Sequence, residues 1–173
     1  MSRRLLLQPD LVLGGIITDL TPEILQINQI EGLILDVDET LVPIKETNIT
    51  EDLAEWTNKM KQVASIWLVS NNLSRSRIST IASALDLPYF LGARKPSRKK
   101  LASAALEMNL PVEKVAMVGD RLFTDVIAGN RLGMFTILVE PMVNPAIAAR
   151  TFPIRNFEVW FSEKLGISLS ANK

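Results

Sequence analysis

The sequence of 173 residues contains no cysteine and no histidine. These absences exclude disulfide bonds, zinc sites built from cysteine and histidine, and catalysis by a thiolate or an imidazole. An enzyme of this composition has to work with carboxylates, lysine or arginine, hydroxyl groups and a metal ion that prefers oxygen ligands. The lack of cysteine also fits a reducing compartment.

Long apolar runs and an excess of one charge are absent too. The longest apolar run near the start, residues 11–17, has seven residues, whereas a membrane-spanning helix needs about 20. Basic and acidic residues number 19 each, so no overall field attracts nucleic acid. We expect a cytoplasmic protein that binds no nucleic acid. Peripheral attachment to a membrane surface and the oligomeric state stay open.

Short apolar stretches of strand length alternate with amphipathic helical stretches along most of the chain. This alternation predicts an α/β fold with a doubly wound, Rossmann-like parallel sheet of about five strands. The predicted strands are 32–37, 65–69, 89–91, 115–118 and 135–139, and the predicted helices begin near residues 22, 50, 74, 96 and 124. The helix from residue 50 should place Leu53, Trp56, Met60 and Val63 in the core.

Three regions follow from this pattern. Residues 1–29 form an N-terminal segment with a short helix, and residues 30–140 form the α/β core. Residues 141–173 form a C-terminal extension that we expect to pack on the core, with one helix in "NFEVWFSEKLG".

Polar side chains follow four of the predicted strands, at the point where each strand ends. They are Asp36 and Asp38, then Ser70, Asn71 and Asn72, then Arg94 and Lys95, and finally Asp120 and Asp125. Because ligands bind outside the carboxyl ends of parallel strands, we expect these side chains to form one site. Such residues also make turns, which accounts for each group alone but not for acids after two strands with a lysine between them.

Asp36 and Asp38 are two positions apart, so in an extended chain their side chains point to the same side. Together with Asp120 they could enclose Mg²⁺, which binds oxygen ligands and phosphate. The ion would offset the repulsion among the acids. Lys95 would add positive charge against a bound phosphate.

Four segments in order, "DVDET", "VSNN", "ARKPS" and "VGDRLFTD", resemble the motifs of the haloacid dehalogenase-like (HAD) phosphatase superfamily. Longer segments, including "LILDVDETLVP" and "GDRLFTDVIAGNRLG", are similar to its class IIIA, YqeG-type branch. That branch is similar to the phosphatidylglycerophosphate phosphatases of mitochondria and plastids. The resemblance covers roughly residues 30 to 140 and implies a HAD-like fold.

The resemblance also implies a role for each residue of the site. Asp36 would be the nucleophile that forms an aspartyl-phosphate, and Asp38 would protonate the leaving oxygen and then activate water. The remaining implied roles are phosphate binding by Ser70 and Asn71, pairing of Lys95 with phosphate and nucleophile, Mg²⁺ binding by Asp36, the Asp38 carbonyl and Asp120, and support by Asp125. Candidates for contact with the rest of the substrate are Asn72, Arg94 and Arg121, for which a plain surface role stays open.

Superfamily members that choose small substrates often carry a cap domain after the first or second motif. Here about a dozen residues separate Asp38 from the next helix, and one helix and a short strand separate residues 72 and 95. The sequence therefore predicts a capless, open site. The basic run "RKPSRKK", residues 94–100, could contact substrate phosphate or an anionic membrane surface, or could be a solvated face.

The leading hypothesis is a Mg²⁺-dependent phosphatase that converts phosphatidylglycerophosphate to phosphatidylglycerol, with weak peripheral contact to an anionic membrane. One alternative is a soluble phosphatase that acts on a small molecule or a protein. Another alternative, of a different class, is a non-catalytic module that uses the phosphate site to bind a partner.

Overall fold

A six-stranded, wholly parallel sheet organises the protein. The computed structural model describes residues 6–142, 166 and 169–170. The strands are β1 Leu11–Val12, β2 Gly32–Leu35, β3 Ser65–Val69, β4 Tyr89–Phe90, β5 Val115–Gly119 and β6 Phe135–Leu138. The α-helices are α1 Pro22–Ile27, α2 Glu51–Met60, α3 Arg75–Leu85, α4 Lys99–Glu107 and α5 Ile127–Leu132. The strand order is β1-β6-β5-β2-β3-β4.

Strand β2 lies in the middle of the sheet, and its side chains alternate between the two faces. Leu33 and Leu35 pack in a core cluster with residues of α1, α2 and α3. Ile34 packs in a second cluster with residues of α4 and α5. A strand that is buried on both faces reads as a continuous apolar run. The doubly wound α/β prediction is therefore confirmed.

The sheet has one strand more than the number we predicted. Leu11 and Val12 pair in parallel with Ile137 and Leu138 at the edge of the sheet. A strand of two residues has too few positions to show an alternating pattern, so no periodic signal marks it. Strand β1 therefore joins the N-terminal segment to the sheet.

Some of the helix limits differ from the predictions. Trp56 is buried as predicted, but α2 ends at Met60, and Val63, which we expected in the core, is 48% exposed. Helix α4 begins at Lys99, later than predicted. Residues Leu122–Val126 form a π-helix that leads directly into α5.

The ends of the chain are described only in part. The predicted helix in "NFEVWFSEKLG" lies almost wholly outside the described residues. Leu169 packs with Leu122, Val126 and Leu138, but the packing of residues 141–173 as a whole stays a prediction. Among the residues that the structure describes, no helix combines the length and the hydropathy that crossing a bilayer requires.

The carboxyl edge of the sheet carries no inserted domain in the described part of the chain. Residues 39–50 form turns between β2 and α2. Only α3 and β4 lie between Asn72 and Lys95. Among the described residues the capless prediction is confirmed.

Candidate active site

The loops after three adjacent strands form a cavity at the carboxyl edge of the sheet. Strand β2 pairs with both β3 and β5, and Leu35 lies beside Leu68 and Val118 in register. The residues that follow these strand ends are therefore neighbours. The cavity has a volume of about 280 Å³, and its lining includes Asp36, Asp38, Asn71, Asn72, Lys95 and Arg121.

Lys95 lies at the centre of the charged groups. Its Nζ is 2.6 Å from Asp36 Oδ1 and 2.8 Å from Asp125 Oδ1, and it donates a hydrogen bond of 2.9 Å to the Val69 carbonyl. Burial alone would lower the pKa of Lys95, but the carboxylates of Asp125 and Asp36 outweigh it and raise the pKa. Lys95 is therefore a protonated cation that bridges two carboxylates.

Asn71 fixes the backbone of this lysine. The Asn71 carboxamide accepts a hydrogen bond of 2.6 Å from Lys95 N and donates one of 3.2 Å to the Lys95 carbonyl. Ser70 is buried, and its Oγ accepts a hydrogen bond of 3.0 Å from Asn72 N. These contacts give both side chains a positioning role, and the predicted binding of phosphate by Ser70 and Asn71 stays a prediction.

Three buried carboxylates form an acidic cluster next to Lys95. Asp36, Asp120 and Asp125 each offer a carboxylate oxygen, and these atoms lie within 4.8 Å of one another. Burial raises the pKa of Asp36 to about 7, against the attraction of Lys95. Burial, followed by repulsion from Asp125, Asp36 and Glu39, raises the pKa of Asp120 well above its usual range.

The chemistry of this donor set fits a magnesium ion. Carboxylates held this close repel one another unless a cation or protons compensate them. Lys95 supplies one positive charge to Asp36 and Asp125, and the elevated pKa of Asp120 marks the charge that remains uncompensated. An oxygen-only site built largely from carboxylates is typical of Mg²⁺.

The position of Asp125 depends on Gly119. Asp125 lies in the π-helix after β5, and its Oδ2 accepts a hydrogen bond of 3.3 Å from Arg121 N. A Cβ atom at position 119 would lie 2.2 Å from Asp125 Oδ2. Glycine at the end of β5 therefore leaves the space in which this carboxylate reaches Lys95.

Asp38 has partners outside the acidic cluster. Its Oδ1 lies 2.6 Å from Arg77 Nη1, and its Oδ2 accepts a hydrogen bond of 3.2 Å from Asn72 Nδ2. The carboxylate thus faces α3, and the predicted contact of its backbone carbonyl with Mg²⁺ stays a prediction. Arg121 lines the cavity, whereas Arg94 is exposed and has a positive φ of 54°.

The sequence analysis missed two side chains that contact the site. Arg77 lies on α3, where a charged residue beside apolar Ile78 has the pattern of an ordinary helix surface. Thr40 is fully buried, and its hydroxyl donates a hydrogen bond of 3.1 Å to Asp120 Oδ1. The threonine that closes "DVDET" was a usable signal for this contact.

Comparisons with known proteins agree with this fold and site. The HAD-hydrolase-like family model, Hydrolase_like, matches residues 92–155. Over 126 residues the chain is 40% identical to "Probable phosphatase YqeG" of Bacillus subtilis (strain 168), a match that covers 72% of this chain and 73% of that protein. The chain belongs to the HAD superfamily, in the family of phosphatases that includes YqeG.

Two further proteins are similar over a large part of this chain. Phosphatidylglycerophosphate phosphatase 1, chloroplastic/mitochondrial, of Arabidopsis thaliana is 30% identical over 129 residues, which are 69% of this chain but 37% of that longer protein. A solved Vibrio cholerae structure, named for 3-deoxy-D-manno-octulosonate 8-phosphate phosphatase, superposes with a TM-score of 0.53 at 19% identity, over 75% of this chain and 76% of that one. The second likeness shows a shared fold.

Proposed function

We propose that this protein is a Mg²⁺-dependent phosphomonoester hydrolase that works through an aspartyl-phosphate on Asp36. The observation that carries the proposal is the buried contact of Lys95 with both Asp36 and Asp125 at the open edge of the sheet. A buried lysine beside the attacking carboxylate offsets the negative charge of an approaching phosphate, which would otherwise be repelled. Asp38, two residues on, supplies a second carboxyl group at the same cavity.

The reaction has two steps, the formation of an aspartyl-phosphate on Asp36 and its hydrolysis by water. A carboxylate oxygen of Asp36 attacks phosphorus, the bond from phosphorus to the alcohol oxygen breaks, and the proton of Asp38 passes to that oxygen. A water molecule then attacks the phosphorus of the aspartyl-phosphate and gives a proton to Asp38. Inorganic phosphate leaves, and the Asp36 carboxylate is restored.

The residues that would hold Mg²⁺ are Asp36, Asp120 and Asp125, with the backbone carbonyl of Asp38 as the predicted further ligand. When bound, Mg²⁺ would neutralise charge on the phosphate oxygens. Lys95 orients Asp36 and favours the charged form of its attacking carboxylate, because an adjacent cation opposes the rise in pKa that burial causes. Phosphoryl transfer depends mainly on such positioning and charge stabilisation.

The proposed substrate is phosphatidylglycerophosphate and the product phosphatidylglycerol. The Arabidopsis relative carries that activity in its name. An open edge suits a headgroup that stays in a bilayer, and two apolar side chains are exposed, Ile44 in the cavity lining at 40% and Leu73, next in sequence to the lining residue Asn72, at 74%. Arg94, Arg98 and Lys99 of the basic run are exposed as well, which supports weak peripheral contact with anionic lipid.

The mechanism is tested by Asp36→Asn, because a carboxamide cannot attack phosphorus. We expect the variant to fold and to lose activity by at least about 10³-fold, equivalent to roughly 4 kcal/mol in the barrier. Acid-quenched parent enzyme, incubated with ³²P-labelled substrate, should retain label that Asp36→Asn lacks. Activity of the variant within about tenfold of the parent would rule out this nucleophile.

The substrate is tested by comparing phosphatidylglycerophosphate in mixed micelles with a panel of soluble phosphate esters. Binding to anionic vesicles should weaken in Arg98→Ala/Lys99→Ala, which removes two exposed charges near the site. The matched control is Lys59→Ala/Lys114→Ala, which removes two charges where α2 ends and β5 begins, at the opposite edge of the sheet. If only soluble esters are hydrolysed and neither variant alters vesicle binding, the protein is a soluble phosphatase.

A further inference from the structure

Arg77 lies outside every motif, yet its side chain contacts Asp38, which lines the active-site cavity. It is only 11% exposed, and its Nη1 lies 2.6 Å from Asp38 Oδ1. Its Nη2 donates a hydrogen bond of 3.3 Å to the Pro43 carbonyl. One guanidinium group on α3 therefore contacts both the proposed acid–base residue and the turn that carries Ile44 into the cavity wall.

The Asp38 carboxylate is held on its other side by Asn72. Asn72 Nδ2 donates to Asp38 Oδ2 at 3.2 Å, while Asn72 N donates to Ser70 Oγ and Asn72 Oδ1 accepts from Ser74 N at 2.8 Å. Asn72 is thus fixed by the end of β3 and the residue before α3. The two oxygens of Asp38 have separate partners, on α3 and on the loop that precedes it.

The contact with Arg77 is a close ion pair without aligned hydrogen bonds. Asp38 Oδ1, Arg77 Nη1 and Arg77 Nε are buried atoms that have no hydrogen-bond partner among the described residues. An ion pair depends on distance more than on direction, whereas a hydrogen bond weakens steeply when it is misaligned. Arg77 can therefore keep Asp38 near the cavity while the carboxylate rotates between Asn72 and a substrate oxygen.

We propose that Arg77 is a positioning residue that holds Asp38 at the mouth of the cavity and pairs with the carboxylate that remains once the proton of Asp38 has passed to the leaving oxygen. The inference rests on the proposed function, because it gives Arg77 a task only if Asp38 is the acid. Among the described residues, the Asp38 carboxylate has two side-chain partners, the cation of Arg77 and the amide of Asn72. Loss of the guanidinium leaves the carboxylate with one hydrogen bond and no charge partner, so its mean position shifts.

The test uses two esters that differ in their need for an acid. An alkyl phosphate has a poor leaving group and needs the proton, whereas 4-nitrophenyl phosphate has a good leaving group and scarcely needs it. General acid–base catalysis contributes about 10²- to 10⁴-fold, so Arg77→Gln should lower kcat on the alkyl phosphate by about tenfold or more. On 4-nitrophenyl phosphate we expect a loss of less than about threefold. Arg75→Gln, an exposed position on the same helix, should change neither rate.

A double-mutant cycle separates positioning from a general structural effect. In an Asp38→Asn background, Arg77→Gln should lower the rate on the alkyl phosphate by less than about threefold, because the group it positions is already lost. Equal losses on both esters, or full additivity with Asp38→Asn, would overturn the proposal. If Arg77→Gln does not fold, Arg77→Met carries the same test, because it keeps an unbranched apolar side chain on α3 without the charge. Parent enzyme that hydrolyses neither ester with Mg²⁺ would contradict the proposed function itself.

Discussion

Asp120 differs from the other buried carboxylates of the site in its contacts. Lys95 lies within 2.8 Å of oxygens on both Asp36 and Asp125. Asp120 instead accepts a hydrogen bond from the Thr40 hydroxyl and faces three negative neighbours, of which Asp125 has the largest effect on its pKa. The need for a further cation is therefore greatest at Asp120, and Thr40 is a donor that helps to hold its carboxylate in the charged form.

We expect Thr40→Val, a change of similar shape, to weaken Mg²⁺ binding. Removal of the hydroxyl takes one donor from Asp120 Oδ1, and a hydrogen bond to a charged group contributes about 1.5–3 kcal/mol. The Mg²⁺ concentration that gives half-maximal rate should rise by roughly tenfold, while the rate at saturating Mg²⁺ changes little. Titration of activity with Mg²⁺ measures both quantities.

The matched control for Thr40 is Thr57→Val. The Thr57 hydroxyl is equally buried and donates a hydrogen bond of 2.8 Å to the Leu53 carbonyl within α2. This variant should lose stability without any change in the Mg²⁺ requirement. A similar rise in the requirement for both variants would mean that Thr40 acts through stability alone.

Sequence patterns locate residues at strand ends better than residues on helices. Asp36 and Asp120 follow the buried strands β2 and β5, Lys95 follows the edge strand β4, and the topology of a parallel sheet brings such positions to one edge. Arg77 contacts Asp38 from a helix, where the 3.6-residue period says which face a residue occupies but not which loop it meets. Its contact with Asp38 spans 39 positions of the chain and depends on the packing of α3 against the turn at Pro43.

At the scale of elements, β1 is fastened to the sheet largely by side chains. The Asp10 carboxylate accepts hydrogen bonds from Thr136 N at 2.8 Å and from the Thr136 hydroxyl at 3.0 Å. Asn130, on α5, donates through Nδ2 to the carbonyls of Leu6 and Gln8, each at 2.9 Å. A strand of two residues forms few hydrogen bonds with its neighbour, and these side-chain hydrogen bonds add to the attachment of β1 to the sheet.

We expect Asn130→Ala to destabilise the protein without altering its activity. The side chain is 8% exposed, and its loss leaves two carbonyl groups without that donor. An unsatisfied buried polar group costs about 1–3 kcal/mol, so the free energy of unfolding should fall by about that amount in urea denaturation. The kcat of the folded variant should equal that of the parent, because Asn130 touches no residue of the site.

An exposed asparagine gives the control for this change. Asn58 lies on the solvent side of α2, and Asn58→Ala should alter the free energy of unfolding by less than about 0.5 kcal/mol. A loss in Asn130→Ala no larger than in Asn58→Ala would show that the segment before β1 is held by the strand pairing alone.

The elements themselves were predictable wherever the pattern extended over a full turn or a full strand. The buried strand β2 and the stripe of α2 are examples, since each shows its period over several residues. The π-helix at Leu122–Val126 and the start of α4 at Lys99 have no such signal.

At the scale of the whole molecule, a chain of zero formal net charge concentrates buried negative charge at one edge of its sheet. The sheet and its two helical layers fix the carboxylates there, so they cannot separate when no metal is bound. Burial raises the pKa values of Asp36 and Asp120, repulsion among the carboxylates adds to the rise, and proton binding relieves both. The stability of the metal-free protein is therefore linked to pH.

The direction of this linkage follows from the pKa of Asp36, which is about 7 in the folded protein against a reference value of 3.8. The folded metal-free state binds protons more readily than the unfolded chain, so this contribution to stability is complete below the unfolded pKa. It is lost as pH rises through the folded pKa, and Asp120 acts in the same direction. Between about pH 5 and pH 8, the melting temperature in EDTA should therefore fall.

Mg²⁺ should reverse this loss, because it binds the deprotonated carboxylates. We expect millimolar Mg²⁺ to raise the melting temperature by several degrees at about pH 8 and by clearly less at about pH 5. Asp120→Asn should show a smaller increase at about pH 8, since it lacks one charge of the cluster, whereas Asp86→Asn, at a fully exposed side chain, should match the parent. Differential scanning calorimetry of the three proteins, in EDTA and in Mg²⁺, measures each shift. A Mg²⁺ effect that is equal at both pH values, or equal in Asp120→Asn and the parent, would place the ion away from these carboxylates.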